Sequence, residues 1–113
     1  MKLKEIIDKL GLKVFTPGIS LDADVTAGYS SDLLSDVMAN SKKGQIWITL
    51  QIHQNIIAVA KLKELAGIVL VNGRKPEEAT LEKAKEEQVP LMSTTDTTFN
   101  ISGKIYQLTG ADK

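Results

Sequence analysis

The side chains able to do chemistry gather in four short polar segments of this chain. Gly28-Tyr29-Ser30-Ser31-Asp32 sets a phenol, two hydroxyls and a carboxylate beside a glycine. His53, the only histidine, stands two residues before Asn55. Asn72-Gly73-Arg74-Lys75 combines an amide, a glycine and two cations, and Thr94-Thr95-Asp96-Thr97-Thr98 surrounds one carboxylate with hydroxyls. Together they suit a small polar or anionic ligand, such as a phosphate-bearing one, held by hydrogen bonds and charge.

Each segment also has a purely structural explanation. Imidazole titrates near neutral pH, so His53 fits ligand contact or acid-base work; the alternative is a helix-start histidine bonded to nearby backbone. Arg74 can fork onto phosphate oxygens while Gly73 allows close approach, and the same loop also fits a solvated left-handed turn. The threonine run serves first as a helix cap, with ligand contact added to that role. Tyr29, one residue after Gly28 in a turn, is exposed unless something covers it, and so would stack on a base or bury against a partner.

Several chemistries lack their parts. Cysteine is absent and histidine single, so no zinc set and no cysteine nucleophile are expected. Asp22-x-Asp24 offers too few carboxylates for calcium. Asn72 to Lys75 has neither the glycine count nor the Lys-Ser/Thr of a Walker loop. No metal and no cofactor are expected, and neither paired carboxylates nor a nucleophile-base pair stands out. The 14 basic and 14 acidic residues balance overall and in each half, which leaves no broad basic face for nucleic acid. No apolar run reaches the ~20 residues of a membrane helix. The expected setting is the cytoplasm, away from membranes and nucleic acid.

The elements that must position these segments follow from periodicity. Leu3, Ile6, Ile7 and Leu10 recur at helical spacing and Gly11 closes that helix. Short strands are expected at Leu12 to Phe15 and Val25 to Gly28. A helix capped by Ser30 or Ser31, with Asp32 at its positive end, carries Leu33, Leu34, Val37 and Met38. Gln45 to Ile52 is nearly continuous in apolar residues, as in a strand buried on both faces, and Trp47 belongs to the core. Ile56 to Ala66 reads as a helix closed by Gly67, and Ile68 to Val71 as a second buried strand. Glu77 to Gln88 is a polar helix with a seam of Leu81, Ala84 and Gln88. Pro90 to Met92 makes a third strand, and a last helix carries Ile101, Ile105 and Leu108. Strand, helix, strand, helix, strand implies parallel pairing with right-handed crossovers, so the four polar segments should meet beyond the strand carboxyl ends. One domain over 1–113 is expected: an N-terminal helix and strand region at 1–24, an α/β core at 25–109, and a frayed tail at 110–113.

GYSSDLLSDVMA, GQIWITLQIHQNIIAVA and GIVLVNGRKPEEATLEKAKEEQVPLMSTTDTT, in this order and spacing, resemble the DRTGG-domain family. The opening KLKEIIDKLGLKVFTPGISLDADV is similar to the start of the related N-terminal domain of HPr kinase/phosphorylase. The resemblance implies a three-layer α/β/α sandwich with a mostly parallel, mixed sheet of about five strands. Related domains occur beside phosphotransacetylase and between the CBS modules of some pyrophosphatases, which implies a regulatory or dimer-forming role. The five letters naming the family are absent as a string; the corresponding turn is Gly28 to Asp32 and the later glycine loop Val71 to Arg74.

The expected function is a non-catalytic sensor of a small anionic ligand, such as a nucleotide or phosphate compound. Its expected contacts are Gly28, Tyr29, Ser30, Ser31, Asp32, His53, Asn55, Asn72, Gly73, Arg74, Thr95, Asp96 and Thr97. The alternative is a homodimerisation module, or one that docks onto a partner enzyme, through Tyr29, Leu34 and Met38. A third alternative is an enzyme using His53 and Asp32.

Overall fold

The computed structural model describes residues 1–110; the last three residues of the expected tail lie outside the described part. In chain order the elements are α1 (Leu3–Leu10), β1 (Lys13–Val14), β2 (Ala27–Ser30), α2 (Leu34–Asn40), β3 (Gln45–Thr49), α3 (Asn55–Lys63), β4 (Gly67–Leu70), α4 (Glu78–Glu87), β5 (Leu91–Ser93) and α5 (Thr98–Thr109). The strands form one sheet in the order β1-β5-β4-β3-β2. β2 to β5 are mutually parallel, and only β1 runs antiparallel, against β5.

Consecutive parallel strands lie side by side without a reversal in order. Right-handed crossovers then put α2, α3 and α4 on one face of the sheet. The core confirms this, because side chains alternate along each strand. Trp47, Ile68, Leu70 and Leu91 pack with Val37, Ile56, Ile57, Ala60 and Ala84 of the crossover helices. Ile46, Ile48, Val69 and Met92 point the other way, onto Leu3, Ile6 and Ile7 of α1 and Ile101 and Ile105 of α5. The result is the expected three-layer α/β/α sandwich with a mixed five-stranded sheet.

Local boundaries differ from the sequence expectation where long-range pairing decides. The second strand lies at Ala27–Ser30, because register with β3 pairs Tyr29 with Trp47 and Ser30 with Ile48. Gly28 to Ser30 is thus strand, not turn. No side chain caps α2; its N-cap is Leu33, while Ser31 Oγ accepts from the Leu33 amide at 3.2 Å. α3 ends on Glu64 in the left-handed conformation (φ 55°), three residues earlier than Gly67 would end it. Gly67 instead opens β4, where a Cβ would stand 3.0 Å from Met92 Cε and 3.2 Å from the Pro90 carbonyl oxygen. The buried seam of α4 is Thr80 and Ala84, and Gln88 is its left-handed C-cap. No helix among the described residues is long and apolar enough to cross a membrane.

Candidate functional site

Parallel strands deliver all four polar segments to one edge of the sheet: after Ser30, Thr49, Leu70 and Ser93. Successive crossovers from β2, β3 and β4 leave toward α2, α3 and α4, whereas the chain after β5 leaves toward α5 on the opposite face. The connections therefore diverge between β4 and β5, the arrangement that opens a crevice at the carboxyl ends of an α/β sheet.

On one side of this rim, Asp32, Leu50, Gln51, Ile52, His53 and Arg74 line a cleft of about 290 Å³. Asp32 reaches across from the end of β2 to the end of β3. Its Oδ1 accepts from the Leu50 amide at 2.7 Å and from the Thr49 hydroxyl at 2.9 Å, while Gln51 Nε2 donates to its carbonyl at 2.9 Å. A carboxylate expected at a helix start thus clamps two loops together, because charge-assisted acceptance from β3 outweighs a helix-dipole interaction. His53 Nδ1 accepts from the Asn55 amide at 3.1 Å, the backbone-bonded helix-start geometry. With Nδ1 accepting, a neutral His53 carries its proton on Nε2. His53 and Asp32 share the cleft, and among the described residues each is hydrogen-bonded to other partners, not to the other. The loop beneath is held by Thr80, whose hydroxyl donates to the Ile52 carbonyl at 2.6 Å.

Asn72 and Gly73 both adopt left-handed backbone (φ 58° and 66°), which folds the β4–α4 loop back onto the loop after β5. The Asn72 amide donates to the Asp96 carbonyl at 2.9 Å, and the Gly73 amide to the Thr94 carbonyl at 2.8 Å. Those amides are therefore engaged inside the protein, and the loop meets a ligand through the Arg74 and Lys75 side chains. Arg74 lines the Asp32–His53 cleft, while Gly73 and Lys75 line a second cleft with Thr95 and Asp96. Leu10, Gly11 and Thr94 also line that second cleft, and so do Lys13, Phe15, Ser93 and Lys104. Sequence reasoning missed these four, although Lys13 and Lys104 are visible as single charges in otherwise apolar-patterned elements.

The remaining predicted residues are used locally. Strand alternation sends Tyr29 to the α2 side, half-buried, where its hydroxyl donates to both Asp36 oxygens at 2.8 and 2.9 Å. The hydrogen bond to Asp36 raises the Tyr29 pKa, with burial and the nearby negative charge adding to it. Ser31 most, then Asn40 and Tyr29, lower that of Asp36. Ser30 faces the opposite way and shares a 2.6 Å hydrogen bond with Ser102 of α5, near Gly28, whose added Cβ would meet Ile105 at 3.3 Å. Thr97 caps α5 by accepting from the Asn100 amide at 3.3 Å, as the threonine run predicts. Leu34 is half-buried against the crossover-side core, and Met38 is 37% exposed. Among the described residues no group of three or more His, Asp or Glu side chains could hold a metal ion.

These observations define a single-wound α/β domain with a polar rim at its strand carboxyl ends. The DRTGG-domain model matches residues 20–108, and the chain belongs to that family. No curated protein sequence matches it. Among solved structures it is similar to the CBS and DRTGG domains of the regulatory region of Clostridium perfringens pyrophosphatase, complexed with the activator diadenosine tetraphosphate. The TM-score is 0.66 at 14% identity, over 91% of this chain and 44% of that one. At this identity the likeness is one of fold, and this chain spans less than half of its neighbour's length.

Proposed function

We propose that the chain is a non-catalytic regulatory module that binds a small anionic ligand, a nucleotide or other phosphate compound, at the strand carboxyl ends. The observation that carries this is the rim itself. The loops after β3, β4 and β5 present His53, Arg74, Lys75 and Thr95 along two clefts on that rim. A ligand bridging the Arg74 loop to its neighbours would stiffen the rim further, and so pass its presence to whatever packs on it. The structural neighbour, a regulatory region that binds a dinucleotide activator, supports a regulatory role for this fold.

The test is a thermal-shift panel of adenine and guanine nucleotides, acyl phosphates and simple phosphates. A ligand at ten times its Kd adds about 1.4 kcal/mol, which raises Tm by roughly 5–8 °C in a domain of this size. No shift with any compound at concentrations on the order of several millimolar would reject the proposal.

A second reading, homodimerisation or docking onto a partner enzyme, is favoured by apolar side chains left exposed next to the edge strand β2. Leu33 is 63% exposed, and Met38 joins it on α2. With Tyr29 and Leu34 half-buried, Leu33 and Met38 become the side chains to test. Light scattering should show a dimer that Leu33→Asp or Met38→Asp dissociates; a wild-type monomer at roughly 100 µM removes the homodimer version.

A further inference from the structure

The side of the rim next to β1 is basic, and it emerges only from tertiary pairing. Lys13 pairs with Ser93 across the antiparallel β1/β5 ladder. Opposed residues share a face, so Lys13 stands beside Ser93 at the carboxyl end of β5 with Phe15 two residues on. The Lys13 ammonium lies 5.1 Å from the Phe15 ring centroid, a cation–π contact that restrains a flexible side chain over this end of the sheet. Lys75 arrives from the β4–α4 loop and Lys104 from α5, and all three lysines line one cleft of about 290 Å³.

A chain of zero net charge thus gathers three ammonium groups around a space that contains one carboxylate, Asp96. Asp96 is bound to Lys104 at 2.7 Å, whereas Lys13 and Lys75 have no carboxylate within salt-bridge distance among the described residues. Like charges gathered this way repel unless an anion neutralises them. Ser93, 7% exposed, also lines the cleft and adds a hydroxyl to it.

We propose that this cleft binds a compact, multiply charged oxyanion such as pyrophosphate or the phosphate group of a small metabolite. Lys13 and Lys75 provide two donors without a carboxylate partner among the described residues, the Ser93 hydroxyl a third, and Asp96 keeps Lys104 in place at the margin. Two free ammonium groups match a dianion or more highly charged group. The volume lies at the lower end of ligand pockets, about 300–1,000 Å³, which favours a compact anion over a dinucleotide. The proposal rests on the rim-binding function above and assigns the phosphate to one side of it.

Calorimetric titration of the intact chain with pyrophosphate, phosphate and sulfate tests this, using Lys13→Ala, Lys75→Ala, Ser93→Ala and Arg74→Ala variants. Lys13 and Lys75 are exposed, so their truncation leaves the packing alone; far-UV melts check it. Saturable pyrophosphate binding is expected, weakened about tenfold by either lysine variant, severalfold by Ser93→Ala, and not by Arg74→Ala. Loss of binding on Arg74→Ala, with the lysine variants like wild type, would overturn the assignment and leave the rim function standing. A similar small loss in every basic variant would show diffuse attraction and overturn it as well. No binding of these anions at about 10 mM would overturn it alone if nucleotides still shift the melt. If they do not, it would overturn both.

Discussion

Removing the Asp32 carboxylate should unclamp the ends of β2 and β3. In the folded chain its Oδ1 accepts from the Leu50 amide at 2.7 Å and the Thr49 hydroxyl at 2.9 Å. A hydrogen bond to a charged group is worth about 1.5–3 kcal/mol net, and solvent exposure at Asp32 reduces this. The Leu50 amide can turn to water after truncation. Thr49 cannot, because it is fully buried and its hydroxyl proton would lose its acceptor while the oxygen still accepts from the Gln51 amide at 3.1 Å. Asp32→Ala should therefore cost about 2 kcal/mol, lowering Tm by roughly 10 °C. Asp32→Asn keeps the acceptor without the charge and should cost about half as much. Urea unfolding of wild type, Asp32→Ala, Thr49→Val and the double variant gives a cycle with an expected coupling of about 1 kcal/mol. A cost below about 0.5 kcal/mol for Asp32→Ala, or no coupling to Thr49, would refute the clamp.

Three further outcomes follow from the same geometry. The raised Tyr29 pKa contributes stability present below its unfolded pKa of about 10 and lost as pH rises through the folded value. The lowered Asp36 pKa contributes stability present above about pH 4 and lost as pH falls through the folded value. Tyr29→Phe should thus be less stable than wild type near neutrality, with the gap closing in strong acid and in strong alkali; denaturant midpoints across pH check it. Gly67→Ala should cost about 1–3 kcal/mol by overpacking, since its Cβ would approach Met92 and Pro90 to 3.0 and 3.2 Å, and calorimetry measures it. Trp47→Phe opens a void and orphans the Ser31 carbonyl, which accepts from the indole at 2.8 Å, so a loss of about 2–3 kcal/mol is expected in urea unfolding.

The parallel core was legible because Gln45–Thr49 and Gly67–Leu70 are short apolar runs followed by helical periodicity, which leaves little besides a crossover sheet. For the same reason the sequence pattern already assigns the four polar segments to one rim. What they do there was less legible. Whether Asp32 reaches into a helix or across to Thr49, and whether Tyr29 faces out or onto Asp36, depends on the β2/β3 register, which no local pattern encodes. β1 is a two-residue strand whose direction is set by pairing with β5, so Lys13 could not be brought to the rim from sequence. Arg74 and Lys75 are adjacent in sequence yet line different clefts, a separation that residue type and spacing do not encode.

The central claim is that ligand binding occurs at the strand carboxyl ends, and an amide-resolved NMR titration of the isotope-labelled chain with pyrophosphate and ATP tests it most directly. The predicted result is saturable shifts confined to residues 31–33, 50–55, 72–75 and 93–97, the loops that follow β2, β3, β4 and β5. Shifts concentrated at the opposite pole, around Glu64, Gln88 and Pro90, or no shifts with either compound, would contradict it.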